Sequence, residues 1–162
     1  MLRPNNETRN INDIYERQVD VVYRVCLSYT QNKSDTEDCV SDTFMKLIKS
    51  NVHFNDEEHE KAWLIRTATN ICKNHLKHWT KKSVNIDEHE NYGSYDNTQQ
   101  SDVLTAVRAL PDKLRTPIYL YYYEGYNSVE IAKMLNKPES TIRKHLKQAR
   151  ELLKTQLEGT EL

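Results

Sequence analysis

Residues 128–150, the most informative stretch of the chain, have the sequence SVEIAKMLNKPESTIRKHLKQAR. Apolar residues at helical spacing predict two short helices joined by a tight turn. Asn136 tolerates the left-handed conformation that such a turn needs, and Pro138 cannot continue the first helix. The residues that can cap the helices are Ser128 for the first and Ser140 or Thr141 for the second. The stretch therefore predicts a helix-turn-helix.

Each of the two predicted helices has an apolar side and a polar side. The inward positions are Ile131, Ala132 and Leu135 in the first helix and Ile142, Leu146 and Ala149 in the second. The outward positions of the second helix are Arg143, Lys144, Lys147, Gln148 and Arg150. A recognition helix in the major groove needs such side chains to reach base edges and phosphates. The pattern favours DNA binding over its alternative, a helical hairpin whose basic face is only solvated.

The composition limits the class of protein. The chain has 162 residues, with only 3 Gly and 4 Pro and with 29% charged residues, which predicts an all-α protein of one or two small domains. No apolar run has the length of a membrane span, and the first residues contain no apolar signal segment, so we expect a cytoplasmic protein. Cys26, Cys39 and Cys72 are widely spaced within helical patterns, which predicts reduced structural thiols.

The net charge of −1 hides an alternation of charge along the chain. Residues 51–60 are acidic without Lys or Arg, whereas residues 61–82 are basic without Asp or Glu. Residues 83–101 are again acidic and rich in Asn, Ser and Gln, as flexible linkers are. We therefore predict two small helical domains, 8–82 and 102–158, joined by a flexible acidic linker at 83–101, with the helix-turn-helix in the second domain.

Two basic surfaces joined by one flexible linker can make two contacts with the same DNA molecule. The first contact raises the effective concentration of the second. The alternative is an ordinary two-domain protein whose first basic helix is only solvated.

Three helices are predicted in the first domain. Apolar positions follow helical spacing from Ile11 to Tyr29, and Ser34-Asp-Thr-Glu37 resembles a capping box that starts a second helix. Val40, Phe44, Leu47 and Ile48 form the apolar stripe of that helix. A third helix, from about Glu58 to Trp79, has a basic and amide-rich face opposite its apolar one.

Few features of the sequence indicate catalysis. The chain has no Gly-rich phosphate loop, no nucleophile elbow and no HExxH pair. Cys72, His75 and His78 stand three residues apart and can partly share a helix face, but no fourth ligand is evident and two lysines lie among them. We therefore expect no metal, no other cofactor and no enzymatic activity.

Three further motifs occur in a definite order. They are DTEDCVSDTFMKLI at 35–48, KAWLIRTATNICKN at 61–74 and ALPDKLRTP at 109–117. They resemble the polymerase-binding helix, the promoter-melting helix and the start of the second DNA-binding domain of the extracytoplasmic-function (ECF) sigma factors. These are small two-domain initiation subunits of bacterial RNA polymerase within the sigma-70 superfamily. The resemblance covers nearly the whole chain. It implies a sigma factor that binds core polymerase, reads the minus-ten and minus-thirty-five elements and helps to melt the promoter.

The resemblance also implies the protein partners. The second helix would dock on the clamp coiled coil of the largest polymerase subunit, and the chain would also meet the flap of the second subunit. The residues of that helix assigned to polymerase are Asp38, Asp42, Phe44 and Lys46. Exposed ion pairs contribute only about 0.2–1 kcal/mol each, so apolar contacts must supply most of the affinity. The alternative role of the acidic residues is helix solubility. Regulation would come from expression or from a separate inhibitor, an anti-sigma factor.

By the same resemblance, the loop before the third helix and the polar face of that helix would receive the non-template strand of the minus-ten element. The residues are Phe54, Asn55, Asn70, Lys73, Asn74 and Lys77. An unstacked base regains about 1–3 kcal/mol on an aromatic ring, while amides read its edge and lysines neutralise phosphates. The alternative role of Phe54 is a core anchor.

For the minus-thirty-five element, the resemblance assigns the second helix of the helix-turn-helix. The residues are Ser140, Thr141, Arg143, Lys144, Lys147, Gln148 and Arg150. Arg143 and Lys144 are the best candidates for base edges or nearby phosphates, whereas the tyrosine-rich run from Tyr119 to Tyr126 favours core and interdomain packing. Two other classes remain as alternatives. One is a dimeric repressor, for which residues 152–162 look too short as a dimerisation helix, and the other is a metal-dependent nucleic-acid enzyme.

Overall fold

The computed structural model describes residues 10–83 and 101–160, and every regular element within these ranges is an α-helix. The helices are α1 (Ile11–Leu27), α2 (Lys33–Lys49), α3 (Glu57–Ser83), α4 (Ser101–Arg108), α5 (Asp112–Tyr122), α6 (Ser128–Leu135) and α7 (Glu139–Thr160). The predicted all-α class is confirmed. Most of the predicted linker, residues 84–100, lies outside the described residues.

Asparagine side chains begin the first two helices. Asn10 Oδ1 accepts a hydrogen bond from the backbone N–H of Asn12 at 3.0 Å, and Asn32 Oδ1 accepts one from Asp35 at 2.8 Å. Caps of this kind typically stabilise a helix by about 1 kcal/mol. The predicted capping box at residues 34–37 is wrong, because α2 already begins at Lys33. Ser and Asn both offer a short oxygen acceptor, so composition alone does not distinguish the two starting points.

Helices α1, α2 and α3 share one apolar core. Its fully buried side chains include Ile14, Val22, Leu47, Leu64 and Ile65. Each helix also contributes one buried free cysteine, and these are Cys26, Cys39 and Cys72. Hydrogen bonds with the other two thiols, together with burial, raise the pKa of Cys72 well above its ordinary value. The three cysteines are free, buried core residues, which confirms the prediction of reduced structural thiols.

A buried carboxylate fixes the start of α3 against α1. Glu60 is 3% exposed, and its carboxylate accepts hydrogen bonds from Arg17 Nη2 at 2.8 Å and from Gln18 Nε2 at 2.9 Å. Arg17 Nε donates a further hydrogen bond to the same carboxylate at 3.2 Å. These donors compensate the loss of water around the charge. They also hold the loop that leads into α3.

Helices α6 and α7 form the predicted helix-turn-helix. Asn127 caps α6 in a capping box: the N–H of Glu130 donates to Asn127 Oδ1 at 2.9 Å, and the N–H of Asn127 donates to Glu130 Oε1 at 3.0 Å. Asn136 adopts the left-handed conformation, with φ 55° and ψ 50°. The N–H of Lys137 donates to the carbonyl of Ala132 at 2.9 Å, which closes a Schellman motif. The predicted turn at Asn136 is confirmed.

The predicted caps of the helix-turn-helix are wrong. Ser128 is the first residue of α6, after its cap Asn127. Helix α7 begins at Glu139, so Ser140 and Thr141 lie within its first turn. The carbonyl of Pro138 accepts a hydrogen bond from the N–H of Ile142 at 3.1 Å, which starts the helical ladder earlier than the sequence predicted.

The apolar side of the helix-turn-helix follows the predicted pattern with one exchange. The buried residues predicted correctly are Ile131, Ala132, Ile142, Leu146 and Ala149. Leu135 is only half-buried, and Met134 takes the buried position instead.

The tyrosine-rich run divides into inward and outward positions. Tyr119 is buried and Tyr126 is half-buried. In contrast, Tyr122 and Tyr123 are 58% and 56% exposed. Core and interdomain packing was therefore the right prediction for the two ends of the run and the wrong one for its middle. Helix α5 is buried from Thr116 to Leu120 and becomes exposed at its C-terminal end, where the middle tyrosines lie.

The two helical groups contact each other through a layer of hydrogen-bonded hydroxyls. Tyr29 Oη donates to the carbonyl of Asp112 at 3.0 Å and lies 2.8 Å from Thr116 Oγ1. Thr116 Oγ1 lies 3.0 Å from Thr69 Oγ1 of α3. Tyr29 and Thr116 are nearly fully buried. These hydrogen bonds join the N-terminal group, α1–α3, to the C-terminal group, α4–α7.

Helix α3 also lies against α6 and the loop before it. Arg66 Nη1 donates a hydrogen bond to the carbonyl of Met134 at 3.0 Å, and Lys61 Nζ donates one to Tyr126 Oη at 3.1 Å. One side of α3 is thus covered by the C-terminal group.

Candidate nucleic-acid interface

The N-terminal half of α7 presents a continuous polar face. Ser140, Arg143, Lys144 and Lys147 are exposed on it, three or four residues apart. Arg143 Nε lies 3.5 Å from the carboxylate of Glu139, and the Arg143 side chain is 65% exposed. An ion pair this exposed contributes little to stability. Arg143 can therefore exchange it for a nucleic-acid partner.

Of the other predicted residues of α7, two are less exposed, and Arg150, although exposed, contacts another helix. Thr141 and Gln148 are half-buried. The guanidinium carbon of Arg150 lies 5.6 Å from the centre of the Tyr121 ring, and a cation–π contact at an exposed site contributes about 0.5–1 kcal/mol. This contact draws Arg150 towards α5. The residues that the structure brings together on the open face are Ser140, Arg143, Lys144 and Lys147.

The positive surface around α7 extends beyond the residues that the sequence identified. Burial lowers the pKa of His145, and neighbouring cations, first Lys113 and then Lys137, lower it further. His145 Nδ1 is buried and has no hydrogen-bond partner within the described part of the chain. Lys113 is distant in sequence and Lys137 lies in the turn. Only the tertiary fold brings Lys113 to the recognition helix.

Phe54, in the loop before α3, is half-buried among aromatic rings. Its ring meets those of His59 and Trp63 edge-on, with centroids 5.3 Å and 5.9 Å away. Asp56 caps α3 by accepting a hydrogen bond from the N–H of His59 at 2.7 Å. Asn55 is exposed between them. This geometry favours the alternative role of Phe54 as an anchor and leaves Asn55 facing outward.

The polar face predicted on α3 is present, but it is only partly open. Asn70, Asn74 and Lys77 are exposed along one side of the helix, whereas Lys73 is half-buried. Burial lowers the pKa of Lys73, with a smaller contribution from neighbouring lysines. The structure therefore brings the predicted amides and lysines together at the edge where α3 meets the C-terminal group.

The outer face of α2 carries the predicted row of charges. Asp38, Asp42 and Lys46 are exposed at intervals of four residues. Phe44 is only 6% exposed, and its ring packs edge-on against Tyr15 with centroids 4.9 Å apart. The burial of Phe44 disagrees with a direct role in partner binding. It holds α2 in place instead.

Two apolar residues of α2 that the sequence did not assign to an interface are exposed. Met45 is 47% exposed and Ile48 is 52% exposed. Ile48 was predicted in the buried stripe, but a helix turns by about 100° per residue, so only its neighbour Leu47 reaches the core. Apolar surface therefore lies beside the row of charges.

The three predicted metal candidates do not form one cluster. Cys72 is buried in the core, whereas His75 Nε2 lies 3.0 Å from Asp42 Oδ2 on α2. Among the residues that the structure describes, no group of three or more His, Cys, Asp or Glu side chains is arranged to hold a metal ion.

Comparisons with known proteins decide which kind of nucleic-acid interface this is. The Sigma-70 region 2 family matches residues 14–81, and the Sigma-70, region 4 family matches residues 100–153. The ECF RNA polymerase sigma factor SigM of Bacillus subtilis is 32% identical over 154 residues, which cover 89% of this chain and 93% of SigM. The chain belongs to the ECF sigma factors of the sigma-70 family. As an ECF sigma factor, it recognises promoters for RNA polymerase, and its partners are core polymerase and promoter DNA.

Further similarities agree with this family. The ECF RNA polymerase sigma-E factor of Escherichia coli K12 is 28% identical over 137 residues, which cover 74% of this chain and 72% of that protein. Among solved structures, the sigma factor RpoE in its complex with the anti-sigma factor NepR from Bartonella quintana has the same fold. Its TM-score is 0.65 at 19% identity, with 91% of this chain and 96% of that chain covered.

The region 2 match contains most of α1–α3, and the region 4 match contains most of α4–α7. The family is one of transcription initiation factors, which disfavours the alternatives of a dimeric repressor and a metal-dependent enzyme. None of the described helices combines the length and the apolar character that crossing a membrane requires.

Proposed function

We propose that this ECF sigma factor reads the minus-thirty-five element through the open face of α7. Arg143 and Lys144 lie in the first turns of α7 and are exposed. Long cationic side chains at this position of a recognition helix reach base edges and phosphates in the major groove. Lys147, one turn further along, meets phosphate. Thr141, Gln148 and Arg150 contribute through the edges of the same helix.

The polar face of α3 receives the non-template strand of the minus-ten element. Asn70 and Asn74 are exposed one turn apart, which suits amides that read the edges of unstacked bases. Lys73 and Lys77 neutralise the phosphates of that strand. Asn55 extends the surface towards the loop, and Phe54 supports this loop from its half-buried position.

Helix α2 docks on the clamp coiled coil of the largest polymerase subunit. Asp38, Asp42 and Lys46 set the register of the two helices by electrostatic complementarity. Met45 and Ile48, exposed beside this row, supply the apolar contacts that exposed ion pairs cannot replace. The second domain, residues 102–158, contacts the flap of the second subunit, and the linker at 83–101 lets the two domains separate on polymerase.

The protein acts in the cytoplasm without catalysing a reaction itself, and the polymerase performs nucleotidyl transfer. An anti-sigma factor is the regulatory partner that fits this function. The similar fold of RpoE, which was solved in a complex with the anti-sigma factor NepR, supports such a partner.

The observation that carries the proposal is the presence of two separate polar faces, on α3 and α7, in one chain of this family. Run-off transcription with core polymerase on a library of genomic fragments tests it, because a transcript requires polymerase binding and promoter choice together. The wild-type chain should select a restricted set of start sites. Arg143→Ala should lose this set, whereas Lys154→Ala, an exposed position further along α7, should keep it. If wild type and Arg143→Ala select the same start sites, α7 is not the reading helix.

A further inference from the structure

A basic cavity lies between the two domains, where α3 faces α5 and the turn after α6. Its volume is about 110 Å³, several times the roughly 10–15 Å³ that one water needs. Its polar lining comes from both domains, with Arg66, Thr69, Asn70 and Lys73 on one side and Lys113 and Lys137 on the other. No acidic side chain is among the described residues that line it.

Like charges meet at this cavity. Burial lowers the pKa of Lys73; the charge of Asp112 nearby raises it, and the charges of Lys137 and Lys77 lower it again. Lys137 belongs to the C-terminal group, so part of this repulsion acts across the domain contact. Elsewhere the same contact is made by complementary hydrogen bonds. An anion between the cations would remove the repulsion.

The beginning of α5 adds to the positive potential. Pro111 precedes this helix of 11 residues and supplies no side-chain cap. The first N–H groups of a helix carry a partial positive charge, and they need acceptors. Lys113, which lines the cavity, stands in this first turn. Asp112 in the same turn offsets only part of the charge.

We propose that the interdomain cavity binds a small anion with two or more phosphate-type negative charges, held by Arg66, Lys73, Lys113 and Lys137. Guanidinium and ammonium groups make strong charge-assisted hydrogen bonds to phosphate oxygens. A singly charged ion would leave most of the four cations uncompensated. Because the ligating groups come from both domains, the bound anion holds the domains together and stabilises the folded chain. The site shares Lys73 with the proposed minus-ten surface, but binding of a small anion there requires no promoter DNA.

Inorganic pyrophosphate is the probe that tests this site in the full chain. At constant ionic strength and ten times its Kd, it should raise Tm by about 3–6 °C. The double variant Lys113→Gln/Lys137→Gln should lose this rise. Both side chains are exposed, so the fold is retained. The control Lys49→Gln/Lys154→Gln changes two other exposed lysines, one in each domain, and should keep the rise.

The proposal is overturned if pyrophosphate causes no saturable rise in Tm, or if the two double variants respond alike. A single-stranded oligonucleotide is the second probe. If it raises Tm in a manner that requires Lys113 and Lys137 while pyrophosphate does not, the cavity takes DNA phosphates and the small-anion proposal is wrong. A saturable pyrophosphate response that only the Lys113→Gln/Lys137→Gln variant loses establishes the site.

Discussion

The polar faces of α7 and α3 have similar chemistry but different accessibility. On α7, Arg143, Lys144 and Lys147 are exposed. On α3, Lys73 is half-buried, and its neighbour Arg66 donates a hydrogen bond to the second domain through the carbonyl of Met134. The α7 face can therefore meet DNA without rearrangement, whereas strand binding by α3 competes with the domain contact. The apparent affinity of α3 for a single strand is its intrinsic affinity multiplied by the fraction of molecules in which its polar face is open.

The largest expected effect lies on the open face. A guanidinium that contacts guanine in two places contributes about 1–3 kcal/mol of discrimination. Arg143→Ala should therefore flatten the sequence preference within the minus-thirty-five element. Binding titrations across single-base variants of a duplex measure this loss directly.

Lys147→Ala is the matched contrast for Arg143→Ala, one turn further along the same face. It should weaken binding to all sequences about equally and lower the salt slope by roughly one unit. Identical effects of the two substitutions would mean that the orientation proposed for α7 is wrong.

The next prediction concerns the polar face of α3, part of which the second domain covers, and its expected effect is smaller. Arg24 Nε donates to Tyr119 Oη at 2.9 Å, and its Nη2 lies 3.2 Å from the Glu124 carboxylate. The Arg24 side chain is 48% exposed, so its loss should weaken the domain contact by no more than about 1 kcal/mol. Arg24→Ala should then raise the affinity for a single-stranded minus-ten oligonucleotide by up to about fivefold. Fluorescence anisotropy measures this change.

Duplex minus-thirty-five DNA is the internal control for Arg24→Ala, because α7 is open in either arrangement. Lys49→Ala, at an exposed position of α2, controls for the loss of one positive charge. An unchanged affinity of Arg24→Ala for the single strand would show that the domain contact does not limit single-strand binding by α3.

A third prediction concerns α2, which lies outside both DNA-binding faces. Reversing the charge of Asp38 and Asp42 to Lys should weaken binding to core polymerase by about 0.2–1 kcal/mol per position. Surface substitutions usually change stability by less than about 0.5 kcal/mol, so the fold should persist. A pull-down with core polymerase measures the effect, and duplex DNA binding serves as its control. Unchanged polymerase binding of the double variant would remove this part of α2 from the proposed interface.

The helices were predictable because their pattern is local. Ile131 and Ala132 lie within one turn of α6, and Ile142 and Leu146 lie about one turn apart on α7. Within each helix, the spacing alone identifies the side that packs inward. The turn at Asn136 was predictable for the same reason, since few residues accept a left-handed conformation. Helix starts were harder. Several short polar residues near each boundary can cap, and only the tertiary path of the chain selects one.

The parts of the candidate site that depend on distant residues were not predictable. Lys113 joins the surroundings of α7 only because α5 packs beneath it. Phe44 and Ile48 lie one turn apart in the same apolar stripe of α2, but Phe44 is buried and Ile48 is exposed. The covering of Lys73 arises from the contact between α3 and the second domain, for which no local pattern exists. Periodicity identifies which side of a helix packs inward. Which other helix that side packs against depends on the tertiary fold.

The smallest predicted effect concerns His145, which lies on α7 behind its exposed polar face. Burial and the charges of Lys113, Lys137, Lys144 and Lys73 lower its pKa in the folded chain, relative to about 6.5 for the unfolded chain. The unfolded chain therefore binds this proton more readily. The associated stability is fully present above about pH 6.5 and is lost as the pH falls through the lowered pKa of the folded state.

Replacing His145 by Gln should remove this titration, so wild type should lose more stability than the variant between about pH 7.5 and about pH 5.5. Urea denaturation at several pH values measures the difference. His53→Gln, at an exposed loop position, should follow wild type. Equal pH dependence of wild type and His145→Gln would show that the lysines around α7 do not act on its inner side. A steeper loss in wild type would show that burial and the surrounding lysines together disfavour a charge on the inner side of α7. A bound DNA phosphate should then reduce the pH effect, because it neutralises the same lysines.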